Sequence, residues 1–177
     1  TLSLREYRML YYGYFFQKEY ASYEHTDKYD SLNIIFYKDK LTTTDWRAIV
    51  RIDKQYLRTR PFELKKLNLL YLAYKHLGDT ADAAVYFDKI KKIAYTILSS
   101  GDGQSENTAL HVLEVSDEYS LINMLGYEFG GEQYLTNADC DYLTLKENPD
   151  NLKGLYFDVK QILVGYEKIL DNVTTSK

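Results

Sequence analysis

The segment Leu67–Leu98, with the sequence LNLLYLAYKHLGDTADAAVYFDKIKKIAYTIL, shows the clearest helical pattern in the chain. Apolar residues recur at spacings of three and four on both sides of Gly78, which is the spacing of a buried helical face. Gly78 suits the left-handed conformation that ends a helix, and Asp79 or Thr80 can cap the next one. The segment therefore predicts two antiparallel helices joined by a tight turn.

The residues of this hairpin resemble one tetratricopeptide repeat (TPR), whose signature is W-x₂-L-G-x₂-Y followed by A-x₃-F over about 34 residues. The corresponding positions are Leu67, Leu70, Tyr71, Tyr74, Ala83 and Phe87. Leu67 stands where the signature has Trp, Tyr71 where it has Gly, and Tyr95 where it has Pro. An ordinary amphipathic hairpin is the alternative. The buried stripe of the second helix is predicted to contain Ala83, Phe87, Ile90 and Ala94.

Three more helices are predicted before the hairpin. Ser3 followed by Glu6 is a capping box, so the first helix begins near Leu4. Four residues of that helix have the spacing of a repeat's first helix: Met9, Tyr12, Gly13 and Phe16. Short apolar patterns predict the other two helices at Ser31–Lys38 and from Trp46 to about Arg58. The polar segment between the first two, Ala21–Asp30, is predicted to be a loop.

The pattern changes at Ser99–Gly103, where glycines and short alternating runs replace helical periodicity. Strands are predicted at His111–Val115, Gln133–Thr136, Asp141–Glu147 and Gly154–Val159, with a short helix at Ser116–Leu125 and a terminal helix through Ile162, Tyr166 and Ile169. Helices followed by strands indicate the α+β class. We therefore predict a TPR-like helical lobe at residues 1–98 and a small, mainly antiparallel sheet lobe with one or two short helices at residues 99–177, the two sharing one core.

Composition excludes several classes of protein. The chain has 177 residues, is 45% hydrophobic and carries a formal net charge of −4, so its charge does not favour binding to nucleic acid. No apolar run approaches the ~20 residues needed to span a bilayer. A single cysteine excludes an internal disulfide. The 19 tyrosines suit half-buried helix faces and binding surfaces, because each ring keeps a polar hydroxyl.

Several segments together make the whole chain resemble one family. They are LYYGYFFQKEY, RPFELKKLN, SSGDGQSENTALHV, DEYSLINMLG, and CDYLTLKEN with GLYFDV. The chain is similar to an uncharacterised domain-of-unknown-function family of roughly 200-residue proteins from gut anaerobic bacteria, often described as tetratricopeptide-containing. The resemblance implies no activity. It does imply that Thr1 follows a leader segment and that the protein is exported, to the periplasm or cell envelope rather than the cytoplasm.

A candidate binding site follows from the loop Ser99–Ser105, which joins the long helix to the first strand. Ligand sites favour such junctions, and the loop combines two glycines with an acceptor, Asp102. The predicted pocket is shallow and polar, serves recognition rather than catalysis, and consists of Asp102, Ser105, His111, Glu118 and Tyr119. The competing interpretations are a helix C-cap followed by a tight turn at the loop, and a solvated acidic first turn at Glu118.

No catalytic, metal or cofactor site is predicted. Cys140 with His111 and either Asp139 or Asp141 could form a thiol nucleophile and its base. A lone cysteine in a strand is more often a small buried apolar residue, so we predict that Cys140 is buried and unreactive. The three histidines lack metal-ligand spacing, and no Cys/His cluster accompanies them.

The preferred function is a binding or interaction module that recognises a peptide, protein or glycan partner, since helical repeats present grooves to partners. This prediction favours a non-enzyme. The alternative is a hydrolase with Asp102, His111 and Glu118 at the junction of the two lobes. A structural subunit of a cell-envelope assembly is a third interpretation. The identity of the ligand and the oligomeric state do not follow from these patterns.

Overall fold

The computed structural model describes residues 2–17, 20 and 31–165. Its helices are α1 (Leu4–Gly13), α2 (Leu32–Phe36), α3 (Thr43–Tyr56), α4 (Leu64–Leu77), α5 (Thr80–Leu98) and α6 (Val115–Met124). Its strands are β1 (Leu110–His111), β2 (Phe129–Leu135), β3 (Cys140–Leu145) and β4 (Gly154–Asp158). Short 3₁₀ turns lie at Tyr14–Phe16 and Glu106–Thr108, and residues 160–165 are helical. Helices in the N-terminal part and a sheet in the C-terminal part confirm the α+β class.

The chain divides into two compact units. Glu24–Ile93 is the helical unit, and Thr1–Tyr23 with Ala94–Lys177 is the sheet unit. In this division α1 belongs to the sheet unit, and the predicted lobes, 1–98 and 99–177, stay a prediction. The Tyr11 hydroxyl of α1 donates to Asp117 Oδ2 at 3.5 Å and accepts from the Leu113 N–H at 3.3 Å.

Local capping sets the helix ends in the helical unit. α3 begins at a capping box in which Thr42 Oγ1 accepts from the Asp45 N–H at 3.3 Å and Asp45 Oδ2 accepts from the Thr42 N–H at 2.8 Å. α4 ends at Gly78, whose φ of 78° confirms the predicted left-handed cap. Asp79 Oδ1 then accepts from the Asp82 N–H at 3.0 Å in the first turn of α5.

The core of the helical unit lies along α3 and the hairpin. Its buried clusters contain Ile49, Leu69 and Ala73, and Leu70, Tyr74 and Ala83. The Trp46 ring stacks on His76 with centroids 4.3 Å apart. Three of the four residues in the predicted stripe of α5 are buried: Ala83, Ile90 and Ala94. The prediction is wrong at Phe87, which is 45% exposed and packs beside Tyr71 on the outer side.

The sheet unit contains a four-stranded sheet in the order β1-β4-β3-β2. β1 pairs with β4 in parallel, and the other two pairings are antiparallel, which confirms the mainly antiparallel prediction. Strand alternation buries Leu143, Leu155 and Phe157 on the core face. Residues 160–165 begin the predicted terminal helix, whose Tyr166 and Ile169 lie outside the described residues, as does the predicted loop Ala21–Asp30.

α1 packs on the sheet unit through tyrosines rather than through the predicted repeat-like stripe. Its buried side chains are Tyr7 and Tyr11, and Tyr14 follows in the 3₁₀ turn. Met9 is 68% exposed and Phe16 is 80% exposed, so these two positions of the repeat-like spacing are not buried. The sequence suggested a repeat-like helix at α1. In the structure, Tyr11 of α1 contacts Leu113 and also Asp117, which lies in the N-terminal part of α6.

Within the described ranges, none of the helices combines the length and the apolarity that a membrane crossing requires.

Candidate functional site

The carboxylate of Asp102 makes its hydrogen bonds to residues of the same loop. Asp102 Oδ1 accepts from the Gln104 N–H at 2.9 Å and from Thr108 Oγ1 at 2.6 Å. The hydroxyls of Ser105 and Thr108 are 2.9 Å apart, and the Gly103 N–H donates to the Thr108 carbonyl at 2.8 Å. The hydrogen bonds from Thr108 and then Gln104 lower the pKa of Asp102. The Asp102 carboxylate therefore shapes a turn at an exposed surface.

His111 belongs to a second place in the sheet unit. Its Nε2 lies 3.5 Å from Asp158 Oδ2, with 52% of the His111 side chain and 19% of the Asp158 side chain exposed. The two residues are direct partners in the β1–β4 register. The Tyr12 ring stands edge-on to the imidazole, with centroids 6.3 Å apart. Parallel pairing thus brings together two residues that are far apart in sequence.

A cavity of about 270 Å³ opens beside this pair. It is lined by Tyr12, Phe15, Phe16, His111, Val112, Leu113, Asp158, Lys160 and Gln161. Phe15 and Phe16 meet edge-to-face at 5.0 Å, and the Tyr12 hydroxyl reaches the carbonyls of Thr96 and His111, both at 3.4 Å. We call it the aromatic cavity. Aromatic and aliphatic side chains form its walls, while His111, Asp158, Lys160 and Gln161 supply the polar groups.

Glu118 is fully buried near the N-terminus of α6. Its Oε2 accepts from Gln133 Nε2 at 3.4 Å, and its Oε1 has no hydrogen-bond partner among the described residues. Burial raises the pKa of this carboxyl to about 9, and the nearby carboxylates of Asp141 and Asp117 act in the same direction. Glu118 is therefore protonated at neutral pH, which contradicts the interpretation of a solvated first turn.

Gln133 links Glu118 to its neighbours on β2 and β3. Its Nε2 also donates to Asp141 Oδ2 at 2.7 Å, and its Oε1 accepts from the Tyr119 hydroxyl. Burial raises the pKa of Tyr119, as do Glu118 and Asp141. We call these four residues, Glu118, Tyr119, Gln133 and Asp141, the acid cluster. It holds one protonated acid beside another carboxyl group.

The five residues of the predicted pocket are distributed over three places. Asp102 and Ser105 share one turn, His111 lines the aromatic cavity, and Glu118 with Tyr119 belongs to the acid cluster. Among the described residues the side chains of Asp102, His111 and Glu118 share no hydrogen bond, although the His111 N–H donates to Ser100 Oγ, two residues before Asp102, at 2.9 Å. Sequence reasoning missed Gln133 and Asp158, and it named Tyr12 and Asp141 only in other roles, in the repeat-like spacing of α1 and beside Cys140. Asp158 had a local signal, because it follows Tyr156 on the same face of an alternating strand.

Cys140 is 1% exposed, which confirms its predicted burial. Its Sγ lies 3.7 Å from the Ala138 carbonyl and 3.9 Å from that of Glu106. Burial raises the pKa of the thiol, and the Asp158 carboxylate raises it further. Cys140 is the register partner of Asp158, which pairs with His111 on its other side. A strand therefore separates the thiol from the imidazole, and the chain does not form the considered nucleophile–base pair.

The helical unit contains a buried charged group that the sequence did not indicate. Asp53 Oδ1 accepts from Ser31 Oγ at 2.7 Å and lies 3.6 Å from Lys66 Nζ. Asp53 and Ser31 are fully buried and Lys66 is 5% exposed. Burial raises the pKa of Asp53 to about 6, against the opposing effects of Ser31 and Lys66. In the sequence Asp53 stands four residues after Ile49, a spacing that puts both residues on one side of α3.

No group of three or more histidine, cysteine or acidic residues in the described chain is arranged to hold a metal ion.

The fold and these places define an α+β protein whose sheet unit contains a small aromatic cavity and an acid cluster around the buried Glu118. By sequence the chain belongs to the family described as Domain of unknown function (DUF4919), whose model matches residues 1–168. This match covers nearly all of the chain and agrees with the resemblance to an uncharacterised family. No curated protein and no solved structure matches the chain.

Proposed function

We propose that this protein is a binding module that recognises a peptide, protein or glycan partner and takes one group of that partner into the aromatic cavity. The observation that carries the proposal is the cavity itself, with an apolar aromatic wall and a polar rim on the same opening. Ligand sites have this composition, because apolar walls supply affinity while a few polar groups fix orientation.

The size of the cavity limits what it can take. At about 270 Å³ it lies just below the range of roughly 300–1,000 Å³ that is usual for complete small-molecule sites. A single ring or side chain of a larger partner fits this volume better than an independent ligand does. The exposed Phe16 at the rim is a rigid aromatic anchor, which gives contact area at low cost in conformational entropy.

A hydrolase is the second candidate, and the acid cluster is the observation that favours it. A protonated Glu118 beside Asp141 has the unequal carboxyl pair that acid–base catalysis uses. A general acid must, however, come within hydrogen-bond reach of its substrate, and Glu118 is fully buried. The binding module is therefore our first proposal. The hydrolytic site predicted at the junction of two lobes stays a prediction.

The family resemblance supports three finer proposals. The protein is exported to the periplasm or cell envelope, it comes from a gut anaerobic bacterium, and the hairpin α4–α5 is TPR-like. A cell-envelope location would fit recognition of an extracellular peptide or glycan. Detection of the native protein in fractionated cells, with an antibody, tests the location.

Substitution at the cavity rim tests the function. We expect the purified protein to bind members of a displayed peptide library or of an oligosaccharide array, and Phe16→Ala to weaken that binding about tenfold or more because the anchor ring is lost. Met9→Ala is the matched control, since Met9 is exposed on the same α1 segment but does not line the cavity. Binding that survives Phe16→Ala, or no binding to either collection, would contradict the proposal.

A further inference from the structure

Three tyrosines stand side by side across the sheet. Tyr134 on β2 is the register partner of Tyr142 on β3, and Tyr142 is the partner of Tyr156 on β4. The ring centroids of the first pair are 5.2 Å apart and those of the second pair 4.6 Å, with the ring planes tilted by 39° and 52°. We call this row the tyrosine ladder.

A glycine allows the central ring of the ladder to lie close to the sheet. A Cβ atom at Gly154 would collide with Cζ and the hydroxyl of Tyr142 and with the carbonyl oxygen of Leu143. The Tyr142 ring therefore lies over the Gly154 main chain instead of standing away from it.

The ladder is open to solvent and carries no charge. Tyr134 is 52% exposed, and Tyr142 and Tyr156 are half-buried. Within the described part of the chain, the three hydroxyls make no hydrogen bond. Burial and then the neighbouring tyrosines raise the pKa of Tyr142, so its hydroxyl stays un-ionised. The surface thus offers apolar ring faces next to unoccupied hydrogen-bonding groups.

Sheet stability accounts for only part of this arrangement. Cross-strand aromatic pairs stabilise antiparallel sheets, and ring contact alone provides that effect. Phenylalanine would give the same contact, so the three hydroxyls have no role in it. Main-chain pairing uses the N–H and C=O groups of β3 on both sides, so a partner on this face meets side chains rather than free peptide groups.

We infer that the tyrosine ladder is a platform for an uncharged oligosaccharide. Sugar rings present flat C–H faces that pack on aromatic rings, and hydroxyls around their edges that pair with phenol groups. An uncharged surface suits an uncharged sugar chain, whereas a ligand with a phosphate or carboxylate group would find no cation in the ladder. A peptide main chain would lack strand-edge partners on this face.

The inference rests on the proposed function and deepens it by naming the ligand class. Asp158, at the rim of the aromatic cavity, lies two residues beyond Tyr156 on the same face of β4. The rise of a strand places these two residues roughly 7 Å apart. One oligosaccharide chain is therefore expected to use both places, with one unit in the cavity and later units on the ladder.

The experiment measures binding of neutral glucose, mannose and xylose oligomers by titration calorimetry, with uronic-acid oligomers as charged comparators. We expect a neutral oligomer to bind, and longer oligomers to bind more tightly than shorter ones. Tyr134→Ala should weaken binding of the longer oligomer about tenfold or more. Tyr134→Phe should keep part of the affinity, since the ring remains. Tyr37→Ala is the control, because Tyr37 is 86% exposed and lies in the helical unit.

The two proposals fail in different ways. If Phe16→Ala weakens binding and Tyr134→Ala does not, the ladder inference is wrong and the binding module stands. If neither substitution matters, both are wrong. Binding of peptides or uronic-acid oligomers alone, or a dimer in sedimentation that Tyr134→Ala dissociates, would also overturn the inference. Tyr134→Thr, which suits a strand, replaces Tyr134→Ala if thermal melting shows that the alanine variant is unfolded.

Discussion

A fully buried carboxyl group with a raised pKa lies in each of the two units, and the two groups have opposite neighbours. In the helical unit Asp53 faces Ser31 and the ammonium group of Lys66. In the sheet unit Glu118 faces the amide of Gln133 and a second acid, Asp141. Both carboxyls are 0% exposed, and each leaves one oxygen without a hydrogen-bond partner among the described residues.

The difference shows how neighbouring groups modify the protonation of a buried acid. Burial raises the pKa of both groups, but the hydrogen bond from Ser31 and then the charge of Lys66 limit the pKa of Asp53 to about 6. The anionic neighbours of Glu118 add to the effect of burial, and its pKa reaches about 9. At neutral pH the helical unit therefore contains a buried ion pair, and the sheet unit contains a buried neutral acid.

Removal of the cation is expected to have the largest effect. Lys66→Met leaves the Asp53 carboxylate buried without its partner, and loss of one member of a buried pair costs about 3 to 5 kcal/mol. Urea unfolding at neutral pH measures this loss, which should shrink in acid as Asp53 becomes protonated. Lys65→Met is the matched control, since Lys65 is the exposed neighbour on the same helix. Equal, small effects of the two substitutions would show that the ion pair contributes nothing.

The pH dependence of stability tests the neutral acid in the sheet unit. Folding raises the pKa of Glu118 from 4.5 to about 9, so the folded protein keeps a proton that the unfolded chain releases between these values. The contribution of Glu118 to the free energy of unfolding is complete below about pH 4.5 and falls by up to about 1.4 kcal/mol per pH unit until about pH 9.

Glu118→Gln cannot release a proton, so it should flatten this pH dependence. Urea unfolding at about pH 6 and about pH 8 gives the slope for each protein. Glu106→Gln, at an exposed acid of the sheet unit, should leave the slope unchanged. A Glu118→Gln protein with the slope of the original would mean that Glu118 is already ionised.

The smallest expected effect contrasts two glycines, one in each unit. Gly78 has a φ of 78°, so Gly78→Ala should destabilise the protein by about 1 kcal/mol or more. Gly13 has helical angles and open space around its Cα, so Gly13→Ala should stabilise it by about 0.5 to 1 kcal/mol. Thermal unfolding compares the two variants. If both substitutions changed the stability in the same direction, the backbone conformation at one of these glycines would differ from the one described here.

Much of the fold could be predicted because its signals are local. The capping box at Ser3 and Glu6 is present, Gly78 ends α4, and the alternating segments at residues 140–145 and 154–158 are strands. The placement of α1 could not be predicted from such signals. Its repeat-like spacing pointed to Met9 and Phe16, but the buried residues of α1 are Tyr7 and Tyr11, and Tyr11 hydrogen-bonds with Leu113 and Asp117.

The candidate site was less predictable, since neighbours along the chain are not neighbours in the sheet. The segment from Asp102 to Tyr119 looked like one pocket because its polar residues are close in sequence. In the structure, Asp102 accepts a hydrogen bond from Thr108 of its own turn. His111 lies beside Asp158 on β4, whereas Glu118 lies beside Gln133 on β2 and Asp141 on β3. Residues that are distant in sequence therefore provide the partners of His111 and Glu118.

The sequence alone determined where helices end, which glycine is left-handed and which strands alternate, because caps and periodicity depend on residues within a few positions of each other. The tertiary structure decided that Asp53 meets a cation and Glu118 meets an anion. It also paired His111 with Asp158 and aligned three tyrosines across β2, β3 and β4. Protonation and the shape of a surface depend on which groups lie within a few ångströms, and strand register sets those distances.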